Sequence, residues 1–243
     1  MSAVEHNPQA SAAPGPAARF YAVTGAQGVA GVRPRPIVVR PSTFVGVLEA
    51  VLAVSGMGLA LFMVMHLGLL FSVLLGSRSM DALAQFLERY YLLQAVAPLI
   101  ILVAIVHIFV AARKAPTSFR QQQALFRQLG QLRHLDTWFW AVQVFTAGAL
   151  IVIGATHLWV VLNDLPIAAA KSGARVYGIY LWFYIPFILL VETHTSMGLY
   201  RVAVKWGLLA RRRAHIALAV WTAAFWGLGF AILATLFWIG AGR

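Results

Sequence analysis

Val191-Glu192-Thr193-His194 places an acid and an imidazole two residues apart inside an apolar stretch. Ionisable side chains are expensive in such a place and are functional candidates by default. Helical residues two apart point roughly 200° apart around the axis, so Glu192 and His194 address different neighbours. One can look into a pocket while the other looks away from it. Gly198, one turn past His194 on the same face, leaves room there for something flat and bulky. An imidazole so placed can ligate a metal, relay a proton or hydrogen-bond a neighbouring helix. The choice turns on whether other segments supply matching histidines.

The chain that must position these groups has 243 residues, of which 61% are hydrophobic and 11% charged, against roughly 25% charged residues in ordinary soluble chains. Cys is absent, which excludes disulfides, thiolate-held metals, iron–sulfur clusters and covalent haem attachment through C-x-x-C-H. Any metal must be held by His, Met or carboxylates. The net charge of +12 invites a nucleic-acid reading, but the basic residues sit at the ends of apolar segments. That is a topology pattern rather than a phosphate-binding face, and no nucleic-acid partner is expected.

Five apolar segments, at about 43–75, 91–113, 135–162, 175–205 and 214–241, are each long enough to cross a bilayer core, which takes about 20 residues. The expected fold is therefore an all-α integral membrane protein with five transmembrane helices, the first four forming a four-helix bundle. Residues 1–42 form an N-terminal tail without the apolar core of a signal peptide, and 43–242 form the membrane domain. Pro98 and Pro186 are expected to bend the second and fourth helices. Ser118–Arg133 carries Leu125, Phe126, Leu129 and Leu132 at helical spacing and reads either as an amphipathic helix on the membrane surface or as a solvated connection. Of the 19 Lys and Arg residues, only Arg78, Arg89, Lys171, Arg175 and Arg243 fall on the side opposite the tail. This bias puts the N-terminus in the cytoplasm and the C-terminus outside; the expected location is the cell inner (cytoplasmic) membrane.

The histidines fall into two depth classes. His66 and His157 lie on outward-running helices, past centres near residues 60 and 150. His107 and His194 lie on inward-running helices, past centres near 102 and 189. Each is thus displaced from the midplane by roughly 8–10 Å at 1.5 Å per residue. Two histidines at each level, from different helices, is what two stacked bis-imidazole haems need. His66 with His157 would hold an outer haem and His107 with His194 an inner one, roughly 15–20 Å apart. Six-coordinate iron leaves no open position for oxygen, so such haems carry electrons. Gly154, one turn before His157, is a further opening for a macrocycle. The competing reading makes all four interhelical hydrogen-bonding residues. His6, His134 and His215 read as surface or helix-end histidines.

At these residues the chain resembles a known family. Leu132-Arg133-His134-Leu135-Asp136-Thr137, Ala155-Thr156-His157-Leu158, Val191-Glu192-Thr193-His194 and Gly198-Leu199-Tyr200-Arg201-Val202-Ala203-Val204-Lys205-Trp206 are similar to the dihaem cytochrome b subunit of fumarate reductase/succinate dehydrogenase. Val64-Met65-His66 and Val106-His107-Ile108 match in order, and the likeness is to the five-helix, menaquinone-linked anchors. The resemblance implies two haems b, with His66, His157, His107 and His194 as axial ligands in the pairs reached by depth. It implies an iron–sulfur subunit and a flavoprotein with covalently bound FAD on the cytoplasmic side, exchanging electrons with menaquinone. Glu88 corresponds to the family's quinol-site proton acceptor, Glu192 to its transmembrane proton carrier, and Arg175 and Lys205 to its haem-propionate partners. Ser55 is a candidate polar partner from the first helix.

The residues leave other readings open. Glu88 also reads as an acid paired with Arg89, Glu192 as a structural hydrogen bond, and Arg175 and Lys205 as boundary charges. At the level of function, the alternatives are the cytochrome b subunit of a membrane hydrogenase or formate dehydrogenase, and a haem-free proton-coupled transporter. The physiological direction and any pairing of complexes into dimers are not written in the sequence.

Overall fold

The computed structural model describes residues 42–132 and 135–242, so Arg33, Arg35, Arg40, His6 and His134 lie outside the described residues. Among the described residues there is no strand. Five helical stretches are long and apolar enough to cross a membrane: Thr43–Leu75, Leu92–Ala112, Leu135–Leu162, Ala169–Lys205 and Arg211–Gly240. The protein is an all-α, multi-pass membrane protein. Large apolar side chains such as Phe109, Phe145, Ile179 and Trp182 stand at least 70% exposed on these helices, as lipid-facing side chains do. The continuous helices satisfy their backbone groups internally, which a lipid surround demands.

Helix α1, Thr43–Phe71, runs into a 3₁₀ turn at Ser72–Leu75. Gly76, at φ +113°, takes a backbone conformation open to glycine and redirects the chain into α2, Ser77–Arg89. Tyr91, left-handed at φ +55°, reverses it again into α3, Leu92–Ala112. Then come α4, Phe119–Leu132, and α5, Leu135–Leu162. The short α6, Ala169–Arg175, and a π turn at Val176–Tyr180 lead into α7, Leu181–Lys205. Helix α8, Arg211–Gly240, completes the chain.

Two sequence expectations are corrected. The fourth span begins at Ala169 rather than near 175, because α6 is built from small and polar residues that break the apolar pattern. Its start is capped from another element: the Asp81 carboxylate accepts the Ala169 N–H at 2.7 Å. The chain also leaves helical φ/ψ at Gly178, and α3 and α7 continue through Pro98 and Pro186. The fifth span begins at Arg211, since three arginines form its first turn. The segment after Ser118 is a helix, opened by a reciprocal cap. Ser118 Oγ accepts the Gln121 N–H at 3.3 Å, and Gln121 Oε1 accepts the Ser118 N–H at 3.2 Å. Leu129 on it is buried, whereas Phe126 is 71% exposed.

Polar contacts at the helix ends show how the spans alternate. Glu49 near the start of α1 pairs with Lys114 just past α3 at 2.6 Å and with Lys205 at the end of α7. Asp136 at the start of α5 accepts from Tyr200 Oη near the end of α7 at 2.8 Å and pairs with Arg211 of α8 at 3.1 Å. These ends define a near side, where α1 begins. On the far side, Asp164 after α5 pairs with Lys171 at 2.8 Å and with Arg175. Helix α3 packs on α1, α1 on α7, α7 on α5, and α8 on α6 and α7. A buried apolar cluster lies on the far side, formed by Val73, Met80, Ala169, Val176, Ile232, Leu233 and Leu236.

Candidate functional site

Between α1, α3, α5 and α7 the helices do not close on one another and leave a cavity of about 2230 Å³. Ligand pockets commonly hold about 300–1,000 Å³, so this one has room for more than one large cofactor. Its lining includes His66, His107, His157 and His194, one from each of the four helices, together with Gly56, Gly154 and Gly198. A Cβ added at Gly154 would meet nothing within 4 Å; one at Gly198 would come 3.3 Å from Gln143 Nε2. All four histidines are half-buried, as residues bordering a cavity should be.

The structure brings His66 and His157 together and gives His107 and His194 polar partners on neighbouring helices. On the far side, the His66 and His157 ring centres lie 6.2 Å apart with planes at 71°. Phe62 stacks on His66 at 5.7 Å, and Phe187 and Tyr184 flank His157 at 4.9 and 5.8 Å. His157 Nδ1 is buried with no hydrogen-bond partner. On the near side, His107 Nδ1 lies 3.0 Å from Ser55 Oγ. His194 Nδ1 lies 3.1 Å from Thr146 Oγ1, and its Nε2 lies 3.3 Å from Gln143 Nε2.

The donor set suits one kind of metal group and not another. No cluster of three or more His, Asp or Glu converges among the described residues, so a bare ion lacks ligands. Two imidazoles at a time suit a metal whose other positions are filled by a macrocycle. Metal–imidazole bonds of about 2 Å on either side, with the distance from each nitrogen to its ring centre, span roughly 6 Å. The 6.2 Å between His66 and His157 fits that span.

The carboxylates take different positions. Glu88 lies in the last turn of α2, exposed, at the edge of the cavity. It enters no ion pair with Arg89 among the described residues. Glu192 is fully buried and turned away from the cavity toward α8, and neither carboxylate oxygen closes a hydrogen bond. The hydroxyls of Thr222 and Ser196 face it. Arg175 and Lys205 both line the cavity, at its far and near sides, and each pairs with a carboxylate, Asp164 and Glu49. Lys171 and Arg175 together hold the Asp164 carboxyl below the usual range. His215 is not a plain surface histidine. It stacks on Tyr200 at 4.9 Å and meets Phe139 edge-on at 5.9 Å, and its Nε2 is buried and unpaired.

Sequence reasoning centred on ionisable residues passed over Gln143 and Thr146, and it gave Glu49 and Lys114 no role. A signal for the first two was present: amide and hydroxyl side chains three residues apart on one face of an apolar span.

Comparison with known proteins adds an independent line. The family model described as Succinate dehydrogenase/Fumarate reductase transmembrane subunit matches residues 120–235. A fumarate reductase cytochrome b subunit of Helicobacter pylori (strain ATCC 700392 / 26695) is 34% identical over 171 residues, covering 66% of this chain and 67% of the relative. The fumarate reductase cytochrome b subunit of Wolinella succinogenes is 31% identical over 163 residues, covering 63% of this chain and 64% of the relative.

Proposed function

This chain belongs to the family of succinate dehydrogenase/fumarate reductase transmembrane subunits, and from that premise we propose that it is the membrane anchor and electron-transfer subunit of a quinol:fumarate reductase/succinate:quinone oxidoreductase. It passes electrons between menaquinol and an iron–sulfur subunit, and the dicarboxylate chemistry takes place in a flavoprotein partner. The near side is the cytoplasmic side of the inner membrane, where both partners dock. The observation that carries this reading is the convergence of His66 with His157 at 6.2 Å inside a cavity that His107 and His194 also line.

His66 and His157 would hold one haem b, and His107 and His194 a second. Bound there, the two haems supply one-electron transfer without an open coordination position. The chain's own groups do the rest. The apolar walls exclude water, and Gly154 leaves space beside His157. Arg175 and Lys205 offer cations to propionates at the far and near sides, each steadied by the carboxylate it already pairs with. Glu88, exposed at the cavity edge near the far side, accepts a proton from quinol and releases it to water. General-base work of this kind requires reach to the quinol hydroxyl, which the position at the rim permits. Glu192, buried without a cation, is the proton carrier across the membrane, separate from the cavity.

Co-purification of the complex, followed by assay with fumarate and a menaquinol analogue, tests the assignment. The two partner subunits are expected to copurify, and quinol-linked fumarate reduction to be present. A chain that purifies alone and leaves quinol oxidation unchanged when deleted contradicts it. Replacing Glu192 by Gln is expected to impair quinol-linked turnover or alter charge movement; normal values for both remove its proton role.

A further inference from the structure

The two near-side histidines differ from the far-side pair in what stands behind them. Ser55 Oγ lies 3.0 Å from His107 Nδ1 and donates its own hydrogen to Leu52 O at 3.2 Å. Thr146 Oγ1 lies 3.1 Å from His194 Nδ1 and donates to Val142 O at 2.8 Å, with Gln143 O at 3.1 Å. A hydroxyl has one hydrogen. With that hydrogen given to its own helix, each oxygen is placed to accept from the imidazole. This is the arrangement in which Nδ1 carries the ring proton and Nε2 presents a lone pair.

The placement of the two hydroxyls suits this task. Ser55 and Thr146 are buried, at 8% and 3% exposure, and neither lines the cavity. They belong to α1 and α5, the helices that carry His66 and His157, while the rings they hold belong to α3 and α7. Each near-side histidine is thus oriented by the helix that supplies a far-side one. Gly56, next to Ser55, permits the approach: a Cβ there would lie 3.0 Å from His107 Cε1. His157 Nδ1, by contrast, has no acceptor.

We propose that Ser55 and Thr146 are positioning residues that fix His107 and His194 as Nδ1–H tautomers and tune the near-side haem through them. This rests on the reading that these histidines bind haem iron. A hydrogen bond from Nδ1–H makes the opposite nitrogen a stronger donor and so favours ferric over ferrous iron. Removing the acceptor raises the midpoint potential of that haem alone.

The test is a redox titration of the b-type absorption bands in the purified complex, with electron paramagnetic resonance of the ferric haems. Ser55→Ala and Thr146→Val are each expected to shift the near-side oxidised-to-reduced equilibrium by about tenfold, or about 59 mV for one electron, with an altered near-side resonance. The far-side haem stays unchanged. Thr146→Ser, which keeps the hydroxyl, restores both values. Loss of the near-side haem alone in Thr146→Val, with retention in Thr146→Ser, supports the same role. Unchanged potentials and resonances in both Ser55→Ala and Thr146→Val overturn it, as does an equal shift in Thr146→Ser. A wild-type complex without haem fails the underlying reading instead.

Discussion

At the scale of single residues, burial separates the two glutamates that sequence alone sets side by side as proton groups. Glu88 is exposed at the cavity rim and Glu192 is sealed between α7 and α8, so they cannot serve the same proton. Replacing Glu88 by Gln keeps its size and removes the proton acceptor. Quinol-linked fumarate reduction is expected to fall by about 10²-fold or more. Reduction by an artificial donor to the partner subunits is expected to stay near wild type. Equal loss of both activities contradicts a quinol-site role. The far-side carboxylate Asp164 behaves differently. Its acidity is increased by Lys171 and then Arg175, so its stabilising contribution is full above the unfolded carboxylate value of about 3.9 and disappears as pH falls through its lower folded value. Hydrogen-exchange protection of residues 164–175, taken relative to the intrinsic exchange rate at each pH, is expected to be flat from pH 8 to pH 5 and to fall only in stronger acid. Loss of protection already near pH 6 contradicts the pairing.

At the scale of elements, hydropathy and helix ends were legible to different extents. Each apolar run became a membrane-length helix because nothing in it competes with the helical ladder in lipid. What stayed hidden is what apolarity does not encode. Helix α6 carries Lys171, Ser172 and Arg175, so it reads as a connection, and its start depends on Asp81, 88 residues away in the chain. The hydroxyls of Ser55 and Thr146 declare no partner until the neighbouring helices are in place. The pairing of His66 with His157 was suggested by depth, whereas the contact of Tyr200 with His215 had no depth signal. Gly173 and Gly240 illustrate a contact that sequence spacing cannot reveal. A Cβ at Gly173 would lie 2.9 Å from Gly240 N and Leu236 O, backbone atoms that cannot swing aside. Gly173→Ala is expected to separate α6 from α8 and destabilise the far-side cluster by about 1–3 kcal/mol. Thermal unfolding in detergent measures this; an unchanged midpoint would show that the two helices are not locked by the close approach.

At the scale of the whole molecule, four helices each contribute one histidine to one cavity, and polar clusters close its ends. The Glu49 cluster on the near side ties α1, the segment after α3 and α7 together. On the far side, Asp164 ties the end of α5 to α6. A frame held at both ends and open between can hold large cofactors without rearranging its helices. Under the proposed function, cofactors filling this space would supply the packing that α3 and α5, with almost no buried residues of their own, otherwise lack. The most direct measurement is redox-resolved absorption spectroscopy of the purified complex carrying single histidine replacements. Two low-spin b-type signals are expected in the wild type. His66→Ala and His157→Ala abolish the same one, and His107→Ala and His194→Ala abolish the other. A wild type without b-type signals contradicts it, as does loss of different signals from His66→Ala and His157→Ala.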